Sequence, residues 1–397
     1  MISSKTNTNL IYTILFILVF LPMMSISWIT RICGETFINS WTVFSAFILF
    51  FLLLIFSRII TINKFNIYFI LYEIVILFST IVNHGLSYGI IVSIFATILL
   101  YLLLQSSCYY HILKAIKIIV IFTSIINFPI MLLNINKINA DFFIGGKNAL
   151  SMFLIPGAFL FLLDCFEYKE RLTFQNKLYL VFLFLSVLIG GGGTGLVVGF
   201  TTLVLLLVSI KIKPKKIIYI SAIIVAFLLL LVYSEEFFST KIWIDITSYL
   251  GKDPTLTARA TIWENVKELI RDFPLFGLGR GNEIAYIDNW GSNETVWEAH
   301  SFILEILLEG GFVALFLFSK NFINSVFRLD MNNKKHKIIF IAICVILING
   351  LTESNNNNFF VVTIFGIASR MAHEQNEPTN RNYMLNNYNS YKEGNVF

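Results

Sequence analysis

LIYTILFILVFLPMMSISWIT, residues Leu10–Thr30, contains 21 residues and no Asp, Glu, Lys or Arg. At 1.5 Å of helical rise per residue, a run of this length crosses a hydrocarbon core of about 30 Å. A single lysine, Lys5, precedes it and no small-residue cleavage site follows, so it reads as a retained membrane helix. Further apolar runs predict spans at 38–57, 65–82, 86–104, 115–133, 149–166, 178–193, 195–210, 217–233, 301–319, 338–350 and 359–369. The last two are short, and the pair at 178–210 meets at Gly190–Gly195. Of 397 residues, 57% are hydrophobic and 13% charged, with 40 Phe and a mean hydropathy of +0.77. Soluble domains carry about 45–50% and 25%, because they must cover a surface with polar groups. A cytosolic enzyme, a secreted disulfide scaffold and a disordered regulator are excluded. The expected fold is an all-α polytopic membrane protein of about twelve transmembrane helices.

The net charge of +5 does not mark a nucleic-acid surface, because the basic residues lie between apolar runs. With the N-terminus inside, 20 of the 29 Lys and Arg residues fall on the cytoplasmic side, including Lys211–Lys216 as an inner-leaflet anchor. The positive-inside rule then favours twelve spans with both termini cytoplasmic. Four cysteines, Cys33, Cys108, Cys165 and Cys344, are spread singly and offer neither a disulfide framework nor a metal cluster.

Composition changes between Tyr233 and His300, where eleven Asp and Glu face six Lys and Arg and four of the six tryptophans collect. Connections this long are generally functional or disordered, and the aromatics argue for order. The expected organisation is therefore spans one to nine over 1–233, a large extracytoplasmic loop over 234–300, spans ten to twelve over 301–370, and a disordered cytoplasmic tail over 371–397. Within the loop, Asp253-Pro254 reads as an N-cap with proline at the first helical position. Ile262, Trp263, Val266, Leu269 and Ile270 recur at helical spacing opposite Glu264, Lys267, Glu268 and Arg271, and Pro274 stops the helix. Such a helix suits the outer membrane interface, where it would roof a cavity between spans.

Next comes Pro274-Leu-Phe-Gly277-Leu-Gly279-Arg280-Gly281-Asn282. Its alternating glycines permit a tight turn and a close approach to a ligand, with N–H groups left over for an anion; a plain sharp turn is the competing account. His300 stands at the mouth of the run Phe302–Phe318, where a surface role competes with a catalytic one. Glu305 and Glu309 lie one helical turn apart just inside that run. Charge there is costly unless an arginine or a watery cavity meets it, and either would favour an outer-face site.

Arg259-Ala-Thr-Ile-Trp263, Pro274-Leu-Phe-Gly277-Leu-Gly279, Ala299-His300-Ser301 and Glu309-Gly-Gly311, in this order and in the largest loop, resemble the O-antigen ligase and O-antigen/capsular polysaccharide polymerase superfamily. The resemblance implies a metal-independent, cofactor-free glycosyltransferase of the hexosyltransferase type in a bacterial plasma membrane. Its donor would be an oligosaccharide on undecaprenyl pyrophosphate at the outer leaflet. The acceptor would be another lipid-linked repeat for a polymerase, or a lipid or wall acceptor for a ligase, and other capsule-assembly proteins are implied partners. Arg259 and His300 fall on the family's reaction centre. Where many relatives carry Ser-Arg, this chain has Thr194-Gly195, so either Arg280 or Lys147 would meet the donor's phosphates or the donor would be held differently.

Displacing an anomeric pyrophosphate concentrates negative charge that a guanidinium fork matches, and the attacking hydroxyl needs a base such as imidazole. The expected site is therefore His300 as base, Arg259 and Arg280 on pyrophosphate and Glu309 orienting one of them, with Gly277, Gly279 and Lys147 as further substrate contacts. A polysaccharide flippase or other secondary transporter is the rival class, and Glu73, centred in the third run, is the kind of carboxylate it would use. Asn355–Asn358 reads as a polar outer connector.

Overall fold

The apolar runs fold as helices that stop close to where the charges resume. The computed structural model describes residues 2–24, 26–56, 64–84, 88–134, 141–168, 171–190, 192–211, 215–232, 240–241, 244–245, 248, 259–281, 284–287, 293–296, 298–354 and 358–376. Among them are fourteen helices and one two-stranded hairpin. The first ten helices are α1 (Ile2–Met23), α2 (Ser27–Cys33), α3 (Glu35–Phe56), α4 (Lys64–His84), α5 (Tyr88–Leu104), α6 (Tyr109–Asn134), α7 (Lys147–Tyr168), α8 (Phe174–Ile189), α9 (Gly193–Lys211) and α10 (Lys216–Val232). After the loop segment come α11 (Arg259–Asp272), β1 (Ile284–Ile287), β2 (Asn293–Val296), α12 (Phe302–Val326), α13 (Lys334–Asn349) and α14 (Phe359–Asn376).

An all-α polytopic architecture follows. Among the described residues five helices, α3, α4, α6, α7 and α12, are long and apolar enough to cross a bilayer, and α5, α8, α9 and α10 contain shorter apolar stretches. The expected first span departs from a straight helix: α1 and α2 meet at 84°. Two backbone bonds hold α2 in that direction, from Ser27 N–H to Ile144 O (3.2 Å) and from Trp28 N–H to Phe143 O (3.3 Å).

α7 is the centre of the bundle. Its apolar window is 83% buried against 22% for α3, as expected of a helix apolar on every face beside one that meets lipid. The helix ends sort by charge. At one end Lys335 reaches Glu167 at 2.5 Å, Lys117 reaches Asp164 at 2.7 Å, and Arg370 donates to Leu104 O (3.1 Å) and Ser106 O (2.6 Å). There too Lys216 Nζ donates to Phe327 O and Leu329 O at 2.6 Å, satisfying carbonyls that the end of α12 leaves open. At the other end gather the first turns of α7, α9, α11 and α12 and the turn after α13.

Two expectations change. α14 continues through Met371, Ala372 and His373, all buried, to Asn376, so the tail does not start at residue 371. Its remainder, 377–397, lies outside the described residues, as do Asp253-Pro254 and Asn355–Asn357. The hairpin was not expected; it pairs Ile284 with Val296 and Ile287 with Asn293. Ile284 is buried with Ile262, Trp263 and Val266 of α11, Ala299, and Leu304 and Leu308 of α12. Removing each aliphatic side chain from water is worth about 1.5–3 kcal/mol, so this small cluster seats α11 on the bundle.

Candidate active site

Five chain segments converge on one carboxylate. Glu353, in the turn after α13, is 5% exposed, and its Oε1 accepts from Arg259 (2.6 Å), Asn148 Nδ2 (2.9 Å) and Thr194 Oγ1 (3.0 Å). Its Oε2 lies 3.8 Å from His300 Nδ1, just beyond hydrogen-bond reach. Arg259 opens α11, Asn148 sits in the first turn of α7, Thr194 in that of α9, and His300 precedes α12. Four helix N-termini, each carrying the positive end of its dipole, therefore surround this point. Lys147 comes here through its backbone: a Cβ at Gly192 would meet Lys147 O at 2.9 Å, so glycine lets the α8–α9 turn close on the start of α7.

The loop around His300 is pinned on both sides. Trp263 Nε1 donates to Ala299 O (3.0 Å), the Ala299 N–H donates to Glu305 Oε2 (2.6 Å), and the Phe302 N–H donates to Gly350 O (2.8 Å). Ser354 also donates to Glu305 (3.0 Å), so Glu305 binds protein groups and leaves Glu309 to the arginine. His300 itself has φ 49°, a left-handed conformation.

Arg280 is elsewhere. It lies between Glu309 (Nε to Oε1, 3.0 Å) and Glu73 of α4 (3.7 Å) and is 11% exposed. Burial works against its charge, but Glu309 and Glu73 outweigh that and raise its pKa above that of a free guanidinium. Glu309 and Glu73 therefore meet the same guanidinium. Arg259 and His300 thus form one group, and Arg280, Glu309, Gly277 and Gly279 another.

Four successive N–H groups of the glycine turn, from Gly277 to Arg280, are taken by protein acceptors instead of being left for an anion. Gly277 N–H donates to Phe273 O (3.0 Å), Leu278 N–H to Leu308 O (2.7 Å), Gly279 N–H to Glu309 O (2.9 Å) and Arg280 N–H to Thr80 Oγ1 (2.9 Å). The cause is a break in α12. Gly311 has φ 62° and ψ −163°, so Phe312 and Val313 N–H turn from Leu308 and Glu309 to Pro274 O (2.8 Å) and Leu275 O (3.1 Å). The turn slots into the opened ladder and satisfies both strands of it, as an apolar setting demands. Glycine is required by contact: a Cβ at Gly277 would fall 2.5 Å from Leu308 O, and one at Gly279 2.4 Å from Thr80 Cα.

Sequence reasoning missed Glu353 and Asn148. An acidic residue in the short turn between the last two apolar runs was the available signal.

The fold and site define a polytopic membrane protein with a buried cationic–acidic site where helix N-termini gather. Residues 178–319 match the family described as O-antigen ligase, which bears out the resemblance seen in the motifs. The matched segment holds Arg259, Arg280, His300, Glu309 and Thr194, while Glu353, Asn148 and Glu73 lie beyond it. No curated protein matches the chain.

Proposed function

We propose that the protein polymerises lipid-linked oligosaccharide repeat units, for capsule, exopolysaccharide or O-antigen, by metal-independent transfer at the outer leaflet of a bacterial plasma membrane. The observation that carries this is the convergence of Arg259 and His300 on Glu353 at one end of the bundle. In the proposed step an acceptor sugar hydroxyl attacks the anomeric carbon of the donor and gives its proton to His300. The glycosidic bond forms as the anomeric C–O bond to undecaprenyl pyrophosphate breaks, and the leaving oxygen keeps the electron pair. Arg259 and the surrounding helix N-termini supply positive charge where the pyrophosphate develops its own. Glu353 holds Arg259 in place and faces the imidazole as it becomes charged.

Sidedness supports the same proposal. Lys117, Lys216, Lys335 and Arg370 sit at the end opposite Glu353, which the positive-inside rule makes cytoplasmic. Twelve crossings with both termini inside, and 234–300 as an extracytoplasmic loop, accord with that sorting. Lys147 remains a candidate phosphate contact, and Arg280 is given a different role below. Ligase-type transfer to a lipid or wall acceptor is favoured as the alternative by the description of the matching family. A flippase is less favoured, because Glu73 faces Arg280 in an ion pair.

The test is polymer length on gels from cells carrying His300→Ala, with protein level checked by immunoblot. Loss of long chains, with single repeats accumulating outside the membrane, is expected. A normal length distribution would remove His300 from the reaction.

A further inference from the structure

Three charged groups are buried together at Arg280, Glu309 and Glu73, with both carboxylates 2% exposed. Burying an ion trio in an apolar setting is costly, and apolar side chains of the same volume would hold two helices together at least as well. The trio therefore has something to do besides stabilise. Its fork occupies Glu309 through two nitrogens, Nε at 3.0 Å and a terminal nitrogen at 3.4 Å from the two carboxylate oxygens, a geometry that fixes direction as well as distance.

What Arg280 fixes is the turn 273–281. Ser79 Oγ and Asn83 Nδ2 donate to Gly277 O at 2.8 and 3.2 Å, and Arg280 N–H donates to Thr80, so α4 grips the turn on one side while the broken α12 grips it on the other. The turn runs straight out of α11: Phe273 N–H still donates to Leu269 O at 3.1 Å. Arg259 is the first residue of that 14-residue helix. At 1.5 Å per residue α11 is about 20 Å long, so a tilt of about 3° at its C-terminal end moves Arg259 by about 1 Å. Misplacing a reacting group by about 1 Å is enough to cost about 10²-fold in rate.

We propose that Arg280, clamped between Glu309 and Glu73, is a positioning residue that seats the 273–281 turn in the break of α12 and thereby sets the angle at which α11 delivers Arg259 to Glu353. The rate effect rests on the function proposed above; the seating does not.

The test uses the full-length protein with two readouts. Val266 lies on the buried face of α11, and Cys33 is the exposed native thiol, so Val266→Cys in a Cys33→Ser background reports whether α11 is seated. A water-soluble maleimide should label Cys at 266 slowly in that background and about tenfold faster when Arg280→Gln or Glu309→Gln is added. Without the labelling changes, the same two substitutions should lower turnover about 10–10²-fold on polyprenyl-pyrophosphate-linked repeats extracted from cells lacking the gene, with apparent KM unchanged. Arg280→Lys, which keeps the charge without the fork, should restore turnover only in part. Unchanged labelling in both variants overturns the proposal. So does a raised KM with intact kcat, the sign that Arg280 binds the donor directly. If Arg280→Gln does not accumulate, the isosteric Glu73→Gln carries the same test. Absence of transfer in the unsubstituted protein would defeat the function while leaving the labelling comparison to decide the seating.

Discussion

His300 has φ 49°, a conformation that costs a non-glycine residue about 1–3 kcal/mol and persists only where the surroundings enforce it. They do so here through the bonds on Ala299 and Phe302, which fix the backbone on either side of His300. Glu353 Oε2 lies 3.8 Å from its Nδ1. Glu353→Gln keeps the shape, removes the negative charge and turns an amide N–H₂ toward groups that are donors. We expect turnover to fall by about 10²-fold, the equivalent of about 2.7 kcal/mol at 1.36 kcal/mol per tenfold, with a lower thermal midpoint because Arg259 is left buried without its counter-charge. Turnover assay and thermal denaturation of the purified variant check this, and unchanged turnover would make Glu353 a scaffold residue. Arg259 and His300 were legible in the sequence because they stand in recognisable strings. Glu353 was not, since one carboxylate in a nine-residue connector carries no pattern until folding brings α7, α9 and α11 to it.

Among the elements, α12 and the turn wedged into it depend most on residue type. A Cβ at Gly311 would sit 2.3 Å from Leu275 O, and the residue's φ of 62° is unfavourable for any side chain. Gly311→Ala should cost about 1–3 kcal/mol from the backbone alone and more from the collision, lowering the thermal midpoint measurably. Gly146→Ala, where an added Cβ meets nothing within 4 Å, is the matched control and should leave it nearly unchanged. Helix positions were readable because an apolar run between charges has few other fates: α3, α4, α5 and α10 begin and end within a few residues of where hydropathy put them. The 84° bend after α1, the hairpin and the broken α12 were hidden because each is decided by a partner distant in sequence. The Pro-x-x-Gly-x-Gly string looked like a ligand cradle for the same reason that it fits the helix break: both demand close backbone approach and N–H donors.

For the whole molecule, the separation of lysine-rich and site-bearing ends makes a sidedness experiment decisive. In sealed right-side-out vesicles, an impermeant maleimide should label a cysteine at exposed Thr261 and spare one at exposed Asn332, both in a Cys33→Ser background. The reverse pattern would put the site in the cytoplasm. Charge bias predicts this sidedness from the sequence alone, because lysines between apolar runs report orientation without any tertiary contact. One consequence follows from Glu353 lying after α13. The ribosome releases Arg259 and His300 into the membrane long before the carboxylate that joins them exists, and α13 must then insert to deliver it. The cluster of Arg259, His300 and Glu353 is therefore complete only once α13 and the turn after it are in place.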